Sequence, residues 1–166
     1  RKFSIHTSLI PIPWKDTKIN ILDTPGFFDF EGEVVQGIRA AEAALIVVSG
    51  KSGVGVGTEK AFKLTKRIKM PRAFFINKLD DENADFFKVF ASLKSKYGSN
   101  VVALEIPIIE DGRLQGVLNV IEMKARSTDK NGVVKEIPVS DSVKAMAESY
   151  RTSLNEAIAE SSDELM

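Results

Sequence analysis

Three short apolar runs, at residues 19–22, 44–48 and 74–76, are separated by stretches whose apolar side chains recur at helical spacing. That alternation constrains the fold more than any other feature of the chain. Strand, helix, strand, helix in regular succession predicts an α/β fold with a parallel sheet, since consecutive parallel strands must be joined by a crossover connection. Val34, Val35, Ile38 and Ala41 supply the inner face of a helix expected over residues 31–43. Ala61, Leu64, Thr65 and Ile68 do the same for a second helix, capped by Thr58 and running to Lys69. Phe86, Phe90, Leu93 and Tyr97 form one stripe of a third helix over residues 83–97, and a phenylalanine-rich stripe at that spacing reads as core. The 44–48 run is apolar enough to be expected buried on both faces.

Two of the strands deliver polar motifs from their carboxyl ends, where ligands bind in such sheets. Ile19 to Leu22 stops abruptly at Asp23-Thr24-Pro25-Gly26. A carboxylate at a strand end can bind Mg²⁺ through a water, and a following glycine lets a main-chain N–H approach a phosphate oxygen. On its own this is also what any Asp-initiated turn looks like. Phe74 to Ile76 ends in Asn77-Lys78-Leu79-Asp80. A carboxylate at Asp80 can accept both N1–H and N2–H of guanine, a donor pair that adenine lacks. The Asn77 amide can reach the base at N7 and tie neighbouring loops together, and the apolar stem of Lys78 can lie over the ring or sugar. The alternative is a plain strand-to-helix loop with Asp80 or Asp81 near a helix cap. Both motifs, in this order and with a helical pattern between them, favour guanine nucleotide.

With those residues in view, the chain resembles the translational GTPases, and within them the bacterial elongation factor G family. The likeness takes in Arg1 to Ser4, Asp23 to Gly26, Ser52-Gly53-Val54, Asn77 to Asp80, Leu114 to Lys124 and the last helix. It implies a partial P-loop-GTPase-type parallel sheet with flanking helices over residues 1–98, plus a small inserted α+β subdomain, incomplete at its end, over 99–166. It implies GTP or GDP with Mg²⁺, a nucleotide site drawing on Asp23, Thr24, Pro25, Gly26, Phe27, Asn77, Lys78, Leu79 and Asp80, and metal contacts from Ser4 and Asp23. It further implies the ribosome as partner, with a stalk protein meeting the insert. Arg1-Lys2-Phe3-Ser4 stands where the family has Arg-Gly-Ile-Thr, so Ser4 keeps the metal-binding hydroxyl without the methyl group. The departure is Phe27. The family carries a water-orienting histidine after Asp-Thr-Pro-Gly, and phenylalanine has no donor or acceptor to orient water. No catalytic residue is therefore assigned. Hydrolysis is expected to be slow or to rely on backbone and ribosomal groups. A non-hydrolysing ribosome-interaction module, or a GTPase of the release factor three or ribosomal protection type, are the alternatives.

Gly50-Lys51-Ser52 after an apolar strand imitates the end of a phosphate-binding P-loop, but the required first glycine position is held by Leu45, inside the strand. No complete P-loop motif occurs in the sequence, so this piece is expected to hold half a nucleotide site and, alone, neither to bind nor to hydrolyse GTP. The start at Arg1, already within a motif, is expected to mark an excised piece. The strand that would precede the P-loop is missing from it, and the resulting open sheet edge is expected to favour self-association.

Composition adds exclusions. Lysine plus arginine equals aspartate plus glutamate, 23 each, so no bulk positive field draws the chain to DNA or RNA. There is no cysteine and a single histidine, His6, which removes disulfides and Cys/His zinc sites and suits a cytoplasmic setting. No apolar run approaches membrane-spanning length. His6 is expected to be an ordinary residue of a proline-bearing edge strand, with residues 15–18 turning back into a hairpin. In the second half, β runs at 101–109 and 115–123 flank the Asp111-Gly112 turn, 127–135 reads as loop, and a helix opens at Asp141 and runs to about 162. Its inward residues are Val143, Met146, Ala147, Tyr150, Leu154 and Ile158, and its acidic end carries Glu156, Glu160, Asp163 and Glu164.

Overall fold

A computed structural model describes residues 3–161. The chain divides into two compact units, one comprising Arg1–Val48 with Val54–Asn77, the other Ser49–Gly53 with Lys78–Met166.

The first unit opens with an antiparallel hairpin, β1 (Ser8–Trp14) and β2 (Thr17–Asp23), in which Trp14 faces Thr17 across the two-residue turn Lys15-Asp16. Pairing continues past Pro11 and Pro13, opposite Asn20 and Lys18. Both prolines therefore occupy positions whose missing N–H would point away from β2, which blunts the outer edge of β1. The sequence places the strand from the first residues onward. It begins only at Ser8, and residues 3–7, His6 among them, form bends instead of a ladder.

After β2, one 3-10 turn (Phe28–Phe30) leads into α1 (Glu31–Ala40), then β3 (Ala44–Ser49), α2 (Val56–Arg67) and β4 (Arg72–Asn77). β3 and β4 are hydrogen-bonded neighbours joined through α2, the βαβ unit of a parallel sheet. The expected double burial of β3 does not occur. Ile46 and Val48 are 6% and 1% exposed, whereas Leu45 and Val47 are 63% and 58% exposed. Successive side chains alternate between faces, and only one face is covered. Phe75 of β4 adds to the open apolar side. Thr58 also departs from its expected place. It is the third residue of α2, not its cap, and its hydroxyl accepts the N–H of the capping Gly55 at 3.4 Å.

The second unit builds its own core. α3 (Phe86–Tyr97) starts later than expected because Asp85, whose side chain accepts the Lys88 N–H at 3.0 Å, is its cap. Asn83 holds a positive φ of 64°, incompatible with a helix. Four strands follow in antiparallel order, β5 (Glu105–Glu110), β6 (Arg113–Asn119), β7 (Lys124–Thr128) and β8 (Val134–Ile137). Asp111 and Gly112, both at positive φ, make the expected tight turn. Residues 101–104 are not strand, and part of the expected 127–135 loop is. Ile106, Leu118, Ala125 and Ile137 lie opposite one another across all four strands. The first three are fully buried. Phe86, Val89 and Leu93 of α3 join this core, as do Ala147 and Leu154 of α4 (Asp141–Ala159). Phe90 meets Tyr150 edge to face at 5.6 Å. Ile158, expected inward, is 42% exposed. Among the described residues no helix is long and apolar enough to cross a membrane.

Candidate functional site

β2 ends at Asp23 for a local reason. Pro25 follows Thr24 and has no N–H to donate to a ladder, which stops the pairing there. Pro25 is fully buried and Thr24 half-buried, while Asp23, Gly26 and Phe27 are exposed. The Asp23 side chain makes no hydrogen bond or ion pair to a described residue. The loop is thus pinned at its middle and presents a carboxylate and a glycine main chain to solvent. A Cβ built on Gly26 would meet nothing within 4 Å, so the space beside this exposed glycine is open.

α1 fixes the loop from behind. A Cβ at Gly37 would lie 2.7 Å from the Thr24 methyl, so the absence of a side chain at 37 is what lets α1 pack against the loop. Lys60 of α2 reaches over the Phe28 ring at 4.5 Å and pairs with Glu31 at 3.2 Å, bracing the turn after Phe27. Neither Gly37 nor Lys60 was marked by the motifs. Gly37 did carry a signal, since a glycine inside a helix costs about 1 kcal/mol against alanine and calls for a packing reason.

The segment before β1 lies against the same loop. The Phe3 ring meets Phe27 edge to face at 4.9 Å. Farther along, the Glu33 carboxylate accepts the Thr7 N–H at 2.8 Å and contacts His6 Nδ1 at 3.3 Å, and the Thr7 hydroxyl donates to the Glu33 carbonyl at 3.4 Å. These bonds, the Thr7 main chain first, then its side chain, then His6, hold the Glu33 carboxyl below the ordinary carboxylate range. Exposed Ser4 falls between the two attachments. Arg1 and Lys2, part of the same motif, lie outside the described residues. His6 is thus not a residue of the edge strand, and its ring makes a surface hydrogen-bond contact with Glu33.

The second motif begins at the end of β4. Asn77 closes that strand in the first unit, while Lys78, Leu79 and Asp80 belong to the second. Lys78 takes a left-handed backbone at φ 60°, a conformation that costs an ordinary side chain about 1 kcal/mol, and its carbonyl accepts the Asp81 N–H at 3.3 Å. Leu79 is half-buried, which leaves exposed Asp80 on the outer side of a tight turn. The Asp80 side chain has no hydrogen-bond or ion-pair partner among the described residues.

Among the described residues no group of three or more His, Cys, Asp or Glu side chains could hold a metal ion. That excludes an all-protein metal cage there. A single open carboxylate still fits Mg²⁺, which keeps much of its water and is commonly held by one or two protein groups plus phosphates. Gly50, Lys51 and Ser52 form a tight turn instead of a phosphate cradle, with the Gly53 N–H donating to the Ser49 carbonyl at 2.8 Å and the Ser49 hydroxyl accepting the Ser52 N–H at 3.2 Å.

The model of the elongation factor Tu GTP-binding domain matches residues 1–161. Among solved structures, the chain is similar to a crystallised protein from Thermus thermophilus, at 31% identity and a TM-score of 0.91. That match covers 98% of this chain but 24% of the Thermus protein.

Proposed function

The chain belongs to the elongation factor Tu GTP-binding domain family, and from that premise we propose that it is part of a ribosome-dependent GTPase of the bacterial elongation factor G type. The intact protein would bind GTP and promote translocation during protein synthesis in the cytoplasm. The observation that carries the proposal is the pair of exposed strand-end carboxylates, Asp23 and Asp80, each on a loop anchored by an apolar neighbour, Pro25 and Leu79.

In this proposal Asp23 and the Ser4 hydroxyl would hold Mg²⁺, which would neutralise phosphate charge. Thr24 and Pro25 set the loop, and the Gly26 N–H, with Phe27 beside it, would bond a phosphate oxygen. Asp80 selects guanine through N1–H and N2–H, Asn77 reaches N7, and Lys78 covers the ring, with Leu79 anchoring the turn. Residues 1–98 form part of the GTPase domain and 99–166 an inserted subdomain, whose surface meets a ribosomal stalk protein. The Glu156 and Glu160 end of α4 is one candidate surface; Asp163 and Glu164 lie outside the described residues. The isolated chain does not hydrolyse GTP, because the P-loop amides and lysine that hold most of the phosphate are not in its sequence. An open sheet edge would favour self-association of the isolated chain.

The experiment is a GTPase assay of the intact protein with and without ribosomes. Ribosome-stimulated turnover supports the proposal. GTP binding with no turnover in either condition favours a non-hydrolysing ribosome-interaction module, which the exposed, chemically inert Phe27 supports. Turnover coupled to peptide release or to displacement of a ribosome-bound drug, without translocation, would instead place the protein with release factor three or the ribosomal protection proteins.

A further inference from the structure

Glu33 is the third residue of α1, the position from which a glutamate ordinarily folds back onto the N–H of its own helix cap. Here the cap is Phe30 and no side chain caps the helix. The carboxylate turns outward instead and takes the Thr7 N–H at 2.8 Å and His6 at 3.3 Å. A helix N-terminus favours a negative charge in its first turn in any case, so the anion is stabilised where it stands and is available to a second segment. Phe3, four residues before Thr7, is held by the Phe27 ring at 4.9 Å. Segment 3–7 is therefore tied at both ends, with Ser4 between the ties and Asp23-Thr24-Pro25-Gly26 immediately before Phe27.

We propose that Glu33 is a positioning residue: through its bonds to Thr7 and His6 it holds segment 3–7 so that the Ser4 hydroxyl can share a magnesium ion with Asp23. This rests on the nucleotide site described above. Glu33 touches neither metal nor nucleotide. Its effect is confined to the metal arm of the site, because its carboxylate bonds segment 3–7 and makes no bond to the Asp80 turn. A charged hydrogen bond to an otherwise unpaired main-chain N–H is also hard to replace from solvent without loosening the segment.

The test uses the intact protein. GTP affinity is measured as a function of Mg²⁺ concentration, with guanine-over-adenine preference measured alongside and hydrogen exchange followed over residues 3–7. Glu33→Ala should raise the Mg²⁺ concentration for half-maximal affinity by roughly tenfold, speed exchange at Thr7, and leave base preference unchanged. Glu33→Gln, whose amide oxygen can still accept the Thr7 N–H, should lie near wild type. If the alanine variant does not fold, Glu33→Asp takes its place; it keeps the charge but withdraws the carboxylate by one methylene, and the same loss is expected. An unchanged Mg²⁺ requirement in a folded variant with faster Thr7 exchange overturns the proposal, as does a shift of equal size in the glutamine variant. A wild-type protein that binds no GTP at any Mg²⁺ concentration overturns the nucleotide site itself, a different failure from a wild type that binds and a Glu33 variant that binds equally well.

Discussion

The rings of Phe3 and Phe27 meet edge to face, with centroids 4.9 Å apart and planes inclined at 61°. Position 27, where the resemblance to elongation factor G leads one to expect a water-orienting histidine, thus carries a packing contact. Phe27 stays 54% exposed, so a polar side chain there would reach solvent directly.

Replacing Phe27 by histidine should raise GTP turnover of the intact protein on ribosomes by about tenfold or more, since an imidazole can donate to and accept from a water that phenyl cannot hold. The lost ring contact should cost about 1 kcal/mol of stability. Single-turnover hydrolysis, with GTP affinity measured separately, checks this. No rise at unchanged affinity would remove position 27 from the chemistry.

Two glycines of α1 should respond oppositely to alanine. Gly32 is exposed, with nothing within 4 Å of a built Cβ, so Gly32→Ala should stabilise the chain by up to about 1 kcal/mol through helix propensity. Gly37→Ala drives a Cβ to 2.7 Å from the Thr24 methyl, and a β-branched side chain has little freedom to give way. It should destabilise by roughly 1–2 kcal/mol and weaken nucleotide binding in the intact protein. Urea unfolding of both variants is the measurement, and equal effects of the same sign would contradict the close packing of α1 on the loop.

These contrasts bear on what the sequence could reveal. Asp111-Gly112 was legible because its backbone demands positive φ at both positions, a demand written in residue type. The strand-end motifs were legible because an apolar run stops dead at each. β7 and β8 were not, because Lys124–Thr128 and Val134–Ile137 are short and largely polar and become strands through their neighbours' ladder bonds. Val101 to Leu104 misled in the opposite sense: the run is apolar, yet only Ala103 is buried, Leu104 is exposed, and none of the four has strand geometry. Glu33 carries no periodic or motif signal, since its partners lie 26 and 27 positions away.

Acid should release segment 3–7. The Glu33 carboxyl has its pKa lowered in the folded chain by Thr7 and His6, so it contributes stability that is complete above the ordinary carboxylate range and is lost as pH falls through the depressed value. The Thr7 amide resonance should therefore be steady from neutral pH down to that range and move below it. Glu33→Gln should flatten the response. A Thr7 amide indifferent to acid in the wild type would show that the carboxylate does not hold it.

Base selection by Asp80 is the most direct test. In the intact protein, Asp80→Asn should lower guanine nucleotide affinity roughly a hundredfold, through loss of charged hydrogen bonds to N1–H and N2–H. Xanthine nucleotide, whose C2 carbonyl can accept from the asparagine amide, should then bind more tightly than guanine. If the Asp80→Asn protein instead keeps its full preference for guanine and gains nothing for xanthine, Asp80 does not read the base and the proposed nucleotide site is wrong.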